Sequence, residues 1–112
     1  MAVTRMPFTR GDVHLVGLNP TLGNEIKKTR PCLIVSPDEL NQHLRTVIVA
    51  PMTTGGPAYP WRVACRFQNR SRFVALDQLR TVDTERLVKR LGRLSATTTT
   101  EVLDTLQEMF AE

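Results

Sequence analysis

Short apolar runs separated by turn-forming residues dominate this chain and predict a β-rich fold. The run from Thr46 to Pro51 is rich in β-branched residues, which favour a central strand. The run from Pro31 to Val35 is apolar throughout its short length, as expected of a buried strand. Further strands are predicted within 11–20, ending in a turn at Asn19-Pro20, at 61–67 and 72–75 as a hairpin, and at 79–82.

Two segments carry helix signals. Residues 36–39 read Ser-Pro-Asp-Glu, which combines a cap, a proline and acidic residues at the start of a short helix that reaches about His43. Apolar residues recur at helical spacing from Val102 to Phe110, behind a capping box formed by Thr98-x-x-Glu101. The segment 85–94 has helical spacing but contains a glycine, so helix and strand both remain open there.

These elements predict a single domain over 1–112, mainly β, with an amphipathic C-terminal helix packed on the sheet. An apolar fraction of 41% and a charged fraction of 23% are ordinary for a folded globular protein. There is no membrane-length apolar run and no apolar leader at the start, so no membrane segment is expected. Cys32 and Cys65 stand in apolar contexts and are expected to be free thiols in a reducing cytoplasm.

Positive charge is concentrated in the middle of the chain. The net charge is +4, and nine basic but only three acidic residues lie between Arg62 and Arg93. Such a segment attracts a polyanion, either nucleic acid or an acidic protein segment. A solvated basic face with no ligand is the alternative.

Few kinds of chemistry fit the remaining residues. The chain has no P-loop, no G-x-S-x-G and no H-E-x-x-H, and its two cysteines and two histidines lack metal-ligand spacing. No metal or cofactor is therefore expected. His14 and His43 are interpreted as structural or surface residues, which leaves arginine, threonine and aspartate as the candidate catalytic groups.

Five short motifs occur in a fixed order, and their order is more informative than any one of them. They are GD-x-x-x-V, N-P-T-x-G-x-E, T-R-P-x-L-I-V-S-P, V-A-P-M-T-T-G-G and L-D-Q-L-R-T-V-D, followed by the amphipathic helix. From Gly11 to Phe110 the chain resembles the MazF/Kid/PemK family of toxins from bacterial toxin–antitoxin pairs.

The resemblance implies a strongly curved antiparallel sheet with SH3-like barrel character, short helices and a C-terminal helix, assembled as a homodimer in the bacterial cytoplasm. It implies sequence-specific cleavage of single-stranded RNA without a metal, through attack of the ribose 2′-hydroxyl on the adjacent phosphate. The products would be a 2′,3′-cyclic phosphate and a 5′-hydroxyl end. The implied partner is a cognate antitoxin whose acidic, disordered segment occupies the RNA groove.

Three catalytic residues follow from matching the motifs. Arg30 corresponds to the family's arginine before proline, and its guanidinium is suited to stabilising charge on the reacting phosphate. Thr53 corresponds to the threonine after the third strand and would hydrogen-bond a phosphate oxygen. Asp77 matches an aspartate that is the proposed general base in some members, where it would accept the 2′-hydroxyl proton, and that is structural in others.

Residues around these three are expected to contact RNA through the first loop, the turn after the third strand, and the segment after the aspartate. They are Asn24, Glu25, Lys27, Lys28, Thr54, Gln78 and Arg80. Asn24 stands where some members have histidine, and Ala75 stands where some have an arginine, so the acid–base set that uses that second arginine is missing. Trp61 is expected in the core or a dimer interface, with stacking of Tyr59 or Trp61 on one base as the alternative.

Two other functions remain open on the same fold. A CcdB-like protein would poison DNA gyrase by binding and would cut no RNA. A catalytically inactive RNA-binding or protein-binding module is the third candidate, to which the departures at Asn24 and Ala75 lend support. Neither the RNA sequence recognised nor the identity of the antitoxin follows from these motifs.

Overall fold

Seven strands and two α-helices make up the part of the chain that the computed structural model describes, residues 8–112. The strands are β1 (Asp12–Gly17), β2 (Thr29–Ile34), β3 (Thr46–Thr53), β4 (Arg62–Phe67), β5 (Arg70–Ala75), β6 (Arg80–Asp83) and β7 (Leu87–Arg93). The helices are α1 (Asp38–His43) and α2 (Ala96–Phe110), and single 3₁₀ turns lie at Leu76–Gln78 and Thr84–Arg86.

The strands form one antiparallel sheet in the order β4-β5-β3-β2-β1-β7. The long strand β3 is shared along one edge: its end at Met52 and Thr53 pairs with β5, and its beginning, Thr46–Val49, pairs with β6. Strands β5 and β6 follow each other in the chain and pair with opposite ends of the same edge of β3. The sheet therefore curls strongly instead of lying flat. The predicted fold class, a curved antiparallel sheet with a C-terminal helix, is confirmed.

Two apolar clusters lie on opposite faces of this sheet, as side-chain alternation requires. One contains Leu33 and Met52 and packs against α2 through Val102. The other contains Cys32 and Val49 among its buried residues. The sequence therefore buries both sides of β2 and β3, which explains why these strands are apolar without strict alternation.

Two local predictions need correction, and the structure decides a third segment that the sequence left open. The helix α2 begins earlier than the Thr98-x-x-Glu101 box implies, since Ser95 is its cap and its hydroxyl accepts a hydrogen bond from the Thr98 amide at 3.2 Å. The segment left open at 85–94 forms strand β7, which pairs with β1. The β4–β5 hairpin turns through Gln68 and Asn69 alone, both at positive φ, so β5 begins at Arg70 instead of Arg72.

The prediction for the two cysteines agrees with the structure. Cys32 and Cys65 are free thiols, as expected. In residues 8–112, no helix is both long and apolar enough to cross a membrane. Within the same range, no group of three or more histidine, cysteine, aspartate or glutamate side chains is placed to hold a metal ion.

Candidate active site

Arg30 and Thr53 lie on the same face of the sheet. Strands β2 and β3 pair with Cys32 opposite Pro51. Arg30 stands two residues before Cys32 and Thr53 stands two residues after Pro51, so alternation places both on the face that Cys32 and Pro51 share. Two catalytic candidates that are 23 residues apart in sequence are thus set on one face by the pairing of β2 with β3.

The same face carries a second arginine on β6. Arg80 pairs with Val49, which stands four residues before Thr53 on β3, so alternation keeps both on one side. The Cys32 thiol lies between the two arginines: burial raises its pKa to about 12, and the charges of Arg80 and Arg30 oppose that rise. The face therefore carries two guanidinium groups close to a buried, protonated thiol.

Arg30 is half-buried and oriented by the loop that precedes it. Its Nε donates a hydrogen bond to the carbonyl oxygen of Lys27 at 3.0 Å. That bond uses one of the five N–H groups of the guanidinium and leaves the Nη edge for a ligand. A phosphate oxygen is the natural acceptor for a planar, permanently charged fork of this kind.

The turn after β3 offers hydroxyl and backbone groups that a ligand can contact. The Thr53 hydroxyl donates to the Gly55 carbonyl oxygen at 3.3 Å, a long and weak hydrogen bond that a ligand can replace. Thr54 is exposed. Gly56 adopts φ +99°, a conformation that favours glycine and lets the backbone turn back toward β4.

Asp77 lies in the 3₁₀ turn after β5 and is held by an arginine that the motifs did not single out. Arg62 Nε donates to Asp77 Oδ1 and Arg62 Nη2 donates to Oδ2, each at 3.0 Å. This bidentate ion pair holds the pKa of the Asp77 carboxyl below its ordinary value and raises that of Arg62. Arg62 stands on β4 directly opposite Ala75. A guanidinium thus enters the site from the neighbouring strand, beside the position where the family's second arginine is missing.

A cavity of about 260 Å³ adjoins Asp77. Its lining includes four of the predicted site residues and three apolar ones: Glu25, Ile26, Pro51, Asp77, Gln78, Leu79 and Arg80. The Ile26 amide donates to Gln78 Oε1 at 3.3 Å, which ties the first loop to the turn that carries Asp77. Arg80 Nη1 donates to the Leu18 carbonyl oxygen at 2.6 Å, so this side chain also anchors the loop at its start.

Other predicted RNA contacts lie outside this cavity. Asn24, Lys27 and Lys28 are exposed along the β1–β2 loop and are not part of its lining. Arg30 and Thr53 also lie beyond the lining, on the sheet face beside it. The structure therefore gathers the candidates into two adjoining groups, one centred on Arg30 and one on Asp77.

The histidines and the tryptophan complete the comparison with the sequence. His14 is buried in β1, where burial lowers its pKa, and His43 is exposed at the end of α1. Both agree with structural or surface roles. Trp61 is not in the core: it is 38% exposed and stacks on Tyr59, with ring centroids 4.9 Å apart and an interplanar angle of 9°.

Fold and site together define a small curled-sheet protein with a basic, hydroxyl-bearing face suited to phosphate esters. The family model described as PemK-like, MazF-like toxin of type II toxin–antitoxin system matches residues 9–110, and this chain belongs to that family. It is 40% identical over 103 residues to the endoribonuclease PemK of Escherichia coli, covering 87% of this chain and 77% of that protein.

Solved structures show the same fold. The MazF crystal structure from Deinococcus radiodurans superposes with a TM-score of 0.80 at 24% identity, covering 90% of this chain and 94% of that one. A mycobacterial endoribonuclease in complex with its cognate antitoxin gives a TM-score of 0.74 at 24% identity, covering 89% of this chain and 91% of that one.

Proposed function

We propose that this protein is the endoribonuclease toxin of a type II toxin–antitoxin pair and cuts single-stranded RNA without a metal. The observation that carries the proposal is the placement of Arg30, Thr53 and Arg80 on one face of the sheet. Membership of the toxin family and 40% identity to an endoribonuclease support the same activity. The basic segment from Arg62 to Arg93 supplies the attraction for RNA.

The proposed reaction is an internal transfer at one phosphate. The 2′-oxygen forms a bond to phosphorus, the bond from phosphorus to the 5′-oxygen breaks, and the products are a 2′,3′-cyclic phosphate and a 5′-hydroxyl. The proton of the 2′-hydroxyl leaves to a base, and the departing 5′-oxygen gains a proton. No oxidant or other co-reactant is consumed.

Arg30 is assigned to the charge that develops on the phosphate oxygens. Its guanidinium remains protonated at any working pH, so it stabilises negative charge rather than accepting a proton. The Thr53 hydroxyl and the turn behind it hold a phosphate oxygen in place. Thr54 and the exposed lysines Lys27 and Lys28 are assigned to flanking phosphates.

Asp77 is assigned as the base. Its ordinary pKa of 3.8 already leaves it ionised at neutral pH, and Arg62 lowers that pKa further. Each carboxylate oxygen keeps a second lone pair after the bidentate contact. Gln78 and Arg80, beside it in the cavity, are assigned to RNA contacts together with Glu25 and Asn24 of the first loop. The depressed pKa makes Asp77 a weak base that is fully available in its ionised form.

The assembly and location are part of the proposal. The toxin acts in the bacterial cytoplasm as a homodimer, and a separate antitoxin with an acidic, disordered segment covers its basic face. A fold relative solved with its cognate antitoxin supports such a partner.

The test is the chemistry of the cut ends. Purified protein is incubated with a long single-stranded RNA in excess EDTA, beside the same sequence made as DNA. Discrete fragments with 5′-hydroxyl ends from the RNA alone are expected, because the DNA lacks the attacking 2′-hydroxyl. Intact RNA across varied sequences would overturn the proposal. Inhibition of gyrase would then favour the CcdB-like function, and tight RNA binding without cleavage would favour an inactive binding module.

A further inference from the structure

Tyr59 and Trp61 form an exposed aromatic shelf beside the Asp77 group. Their rings are nearly parallel, with centroids 4.9 Å apart, and they are 41% and 38% exposed. We propose that this aromatic shelf is a nucleobase subsite, on which one unpaired base of a single-stranded RNA stacks next to the scissile phosphate. The inference rests on the proposed function and adds a binding site to it.

The shelf is held in place before any ligand arrives. The Arg62 guanidinium lies over the Tyr59 ring at 5.6 Å from its centroid, and the Arg62 amide donates to the Tyr59 carbonyl oxygen at 3.0 Å. The Leu76 amide donates to the Trp61 carbonyl oxygen at 3.1 Å. Because these rings are already ordered, a base that stacks on them loses little additional side-chain entropy.

One side chain joins the shelf to the proposed chemistry. Arg62 contacts the Tyr59 ring and also makes the bidentate ion pair with Asp77. Its Nη1 atom lies 3.8 Å from the position that a Cβ on Gly56 would occupy, so the guanidinium also faces the turn after Thr53. A nucleotide whose base lies on the shelf therefore has its phosphate close to the candidate catalytic groups.

The charge around the shelf selects the occupant. Arg62 and Arg66 project from the same face of β4, two residues either side of Ala64, and Arg66 is exposed. A flat aromatic surface beside a basic strand suits a chain that alternates flat bases with negative phosphates. An apolar protein segment would cover the rings but would offer no counter-charge to the exposed Arg66.

Trp61 is the chain's one tryptophan, so its fluorescence reports on the shelf directly. The probe is a short single-stranded RNA with 2′-O-methyl riboses, which binds without being cut because the nucleophile is blocked. Saturable quenching of Trp61 is expected. Tyr59→Leu should weaken the binding of this probe by roughly tenfold, the loss expected for one base stack. Phe110→Leu, which changes an exposed aromatic at the end of α2, should leave the affinity unchanged.

An abasic scan locates the base on the shelf. In the wild-type protein, removing one particular base from the probe should cost roughly tenfold in affinity, measured by competition against a labelled probe. In Trp61→Leu, removing that same base should cause no further loss of affinity, because the stacking contact is already absent. Trp61→Phe keeps a ring and should restore most of the affinity. On cleavable RNA, Trp61→Leu should raise KM with little change in kcat.

These experiments test the nucleobase subsite separately from the proposed nuclease activity. Quenching without cleavage of ordinary RNA supports the shelf and defeats the proposed nuclease. Cleavage with an unresponsive Trp61 and a wild-type KM in Trp61→Leu overturns the shelf alone. If Trp61→Leu splits an oligomer in sedimentation and the probe leaves Trp61 fluorescence unchanged, the rings form an interface between copies and the inference is wrong.

Discussion

The Asp77 carboxylate accepts two parallel hydrogen bonds from the Arg62 guanidinium, each 3.0 Å long. Their side chains are 29% and 16% exposed, so solvent screens the pair only in part. Arg62 also lies over the Tyr59 ring. The conformation of the 3₁₀ turn, the protonation of its carboxylate and the position of the aromatic shelf therefore all depend on one strand β4 arginine.

Stability should depend on this pair only where Asp77 is ionised. Because its folded-state pKa lies below the ordinary value of 3.8, the pair stabilises the fold above pH 3.8, and that contribution is lost as pH falls through the folded-state pKa. Arg62→Gln should therefore lower Tm at pH 7, and the difference from wild type should vanish in strong acid. Arg66→Gln is the matched control, since Arg66 donates to the Asn69 carbonyl oxygen and makes no ion pair within residues 8–112. If Arg62→Gln lowers Tm equally at pH 7 and in strong acid, the ion-pair account is wrong.

Activity should report the same pKa. If ionised Asp77 accepts the 2′-hydroxyl proton, kcat/KM falls in acid as that carboxylate is protonated. Arg62→Gln removes the guanidinium that lowers the pKa of Asp77, so the acid limb of the kcat/KM profile should move to higher pH. Measurement of kcat/KM from neutral pH down to below pH 3.8, the ordinary pKa of the carboxyl, decides it. An acid limb that stays in place in Arg62→Gln, or persists in Asp77→Asn, would remove Asp77 from the proton transfer.

The corrected start of α2 makes a separate prediction about stability. Ser95→Ala removes the hydroxyl that accepts from the Thr98 amide and should lower the free energy of unfolding by about 1 kcal/mol. Thr98→Ala should cost less, because Thr98 lies inside the helix and alanine has the higher helix propensity. Urea unfolding of both variants shows which substitution lowers the free energy of unfolding more. A larger loss for Thr98→Ala would show that Thr98, rather than Ser95, caps the helix.

Gly92 on β7 lies against the Phe67 ring at the end of β4. A Cβ added there would lie 3.1 Å from Phe67 Cε1, so Gly92→Ala must displace that ring and should destabilise the protein by roughly 1–3 kcal/mol. Gly17→Ala is the control, since its new Cβ would meet only the Arg86 carbonyl oxygen at 3.9 Å. The free energies of unfolding in urea should differ clearly between the two variants. Equal stability would show that Phe67 has room to move.

Local patterns in the sequence predicted most of the sheet and the C-terminal helix. The apolar run at Thr46–Pro51 became the central strand β3, because β-branched residues buried on both faces are typical of such a position. The segment 85–94 stays ambiguous in the sequence because its helical spacing competes with pairing to β1, a contact distant in sequence. Ser95 was missed since four consecutive threonines after it carry the same capping chemistry.

The residues of the candidate site also differ in whether the sequence alone could indicate them. Arg30, Thr53 and Asp77 were found because each stands in a short motif of fixed order. Arg62 lies in no such motif, and its contact with Asp77 depends on the two-residue turn that sets Arg62 opposite Ala75. A four-residue turn, as predicted, sets a different register. Side-chain pairs that follow from strand register stay hidden until the turn is known.

The most direct test of the central claim is single-turnover cleavage of a single-stranded RNA in excess EDTA by wild type and Arg30→Ala. The matched control is Arg45→Ala, an exposed arginine at the opposite end of β3 from Thr53. Losing a charge that stabilises the reacting phosphate should slow cleavage by on the order of 100-fold or more in Arg30→Ala, while Arg45→Ala cuts at the wild-type rate. Equal rates for all three proteins would show that the chemistry lies elsewhere than the Arg30–Thr53 face.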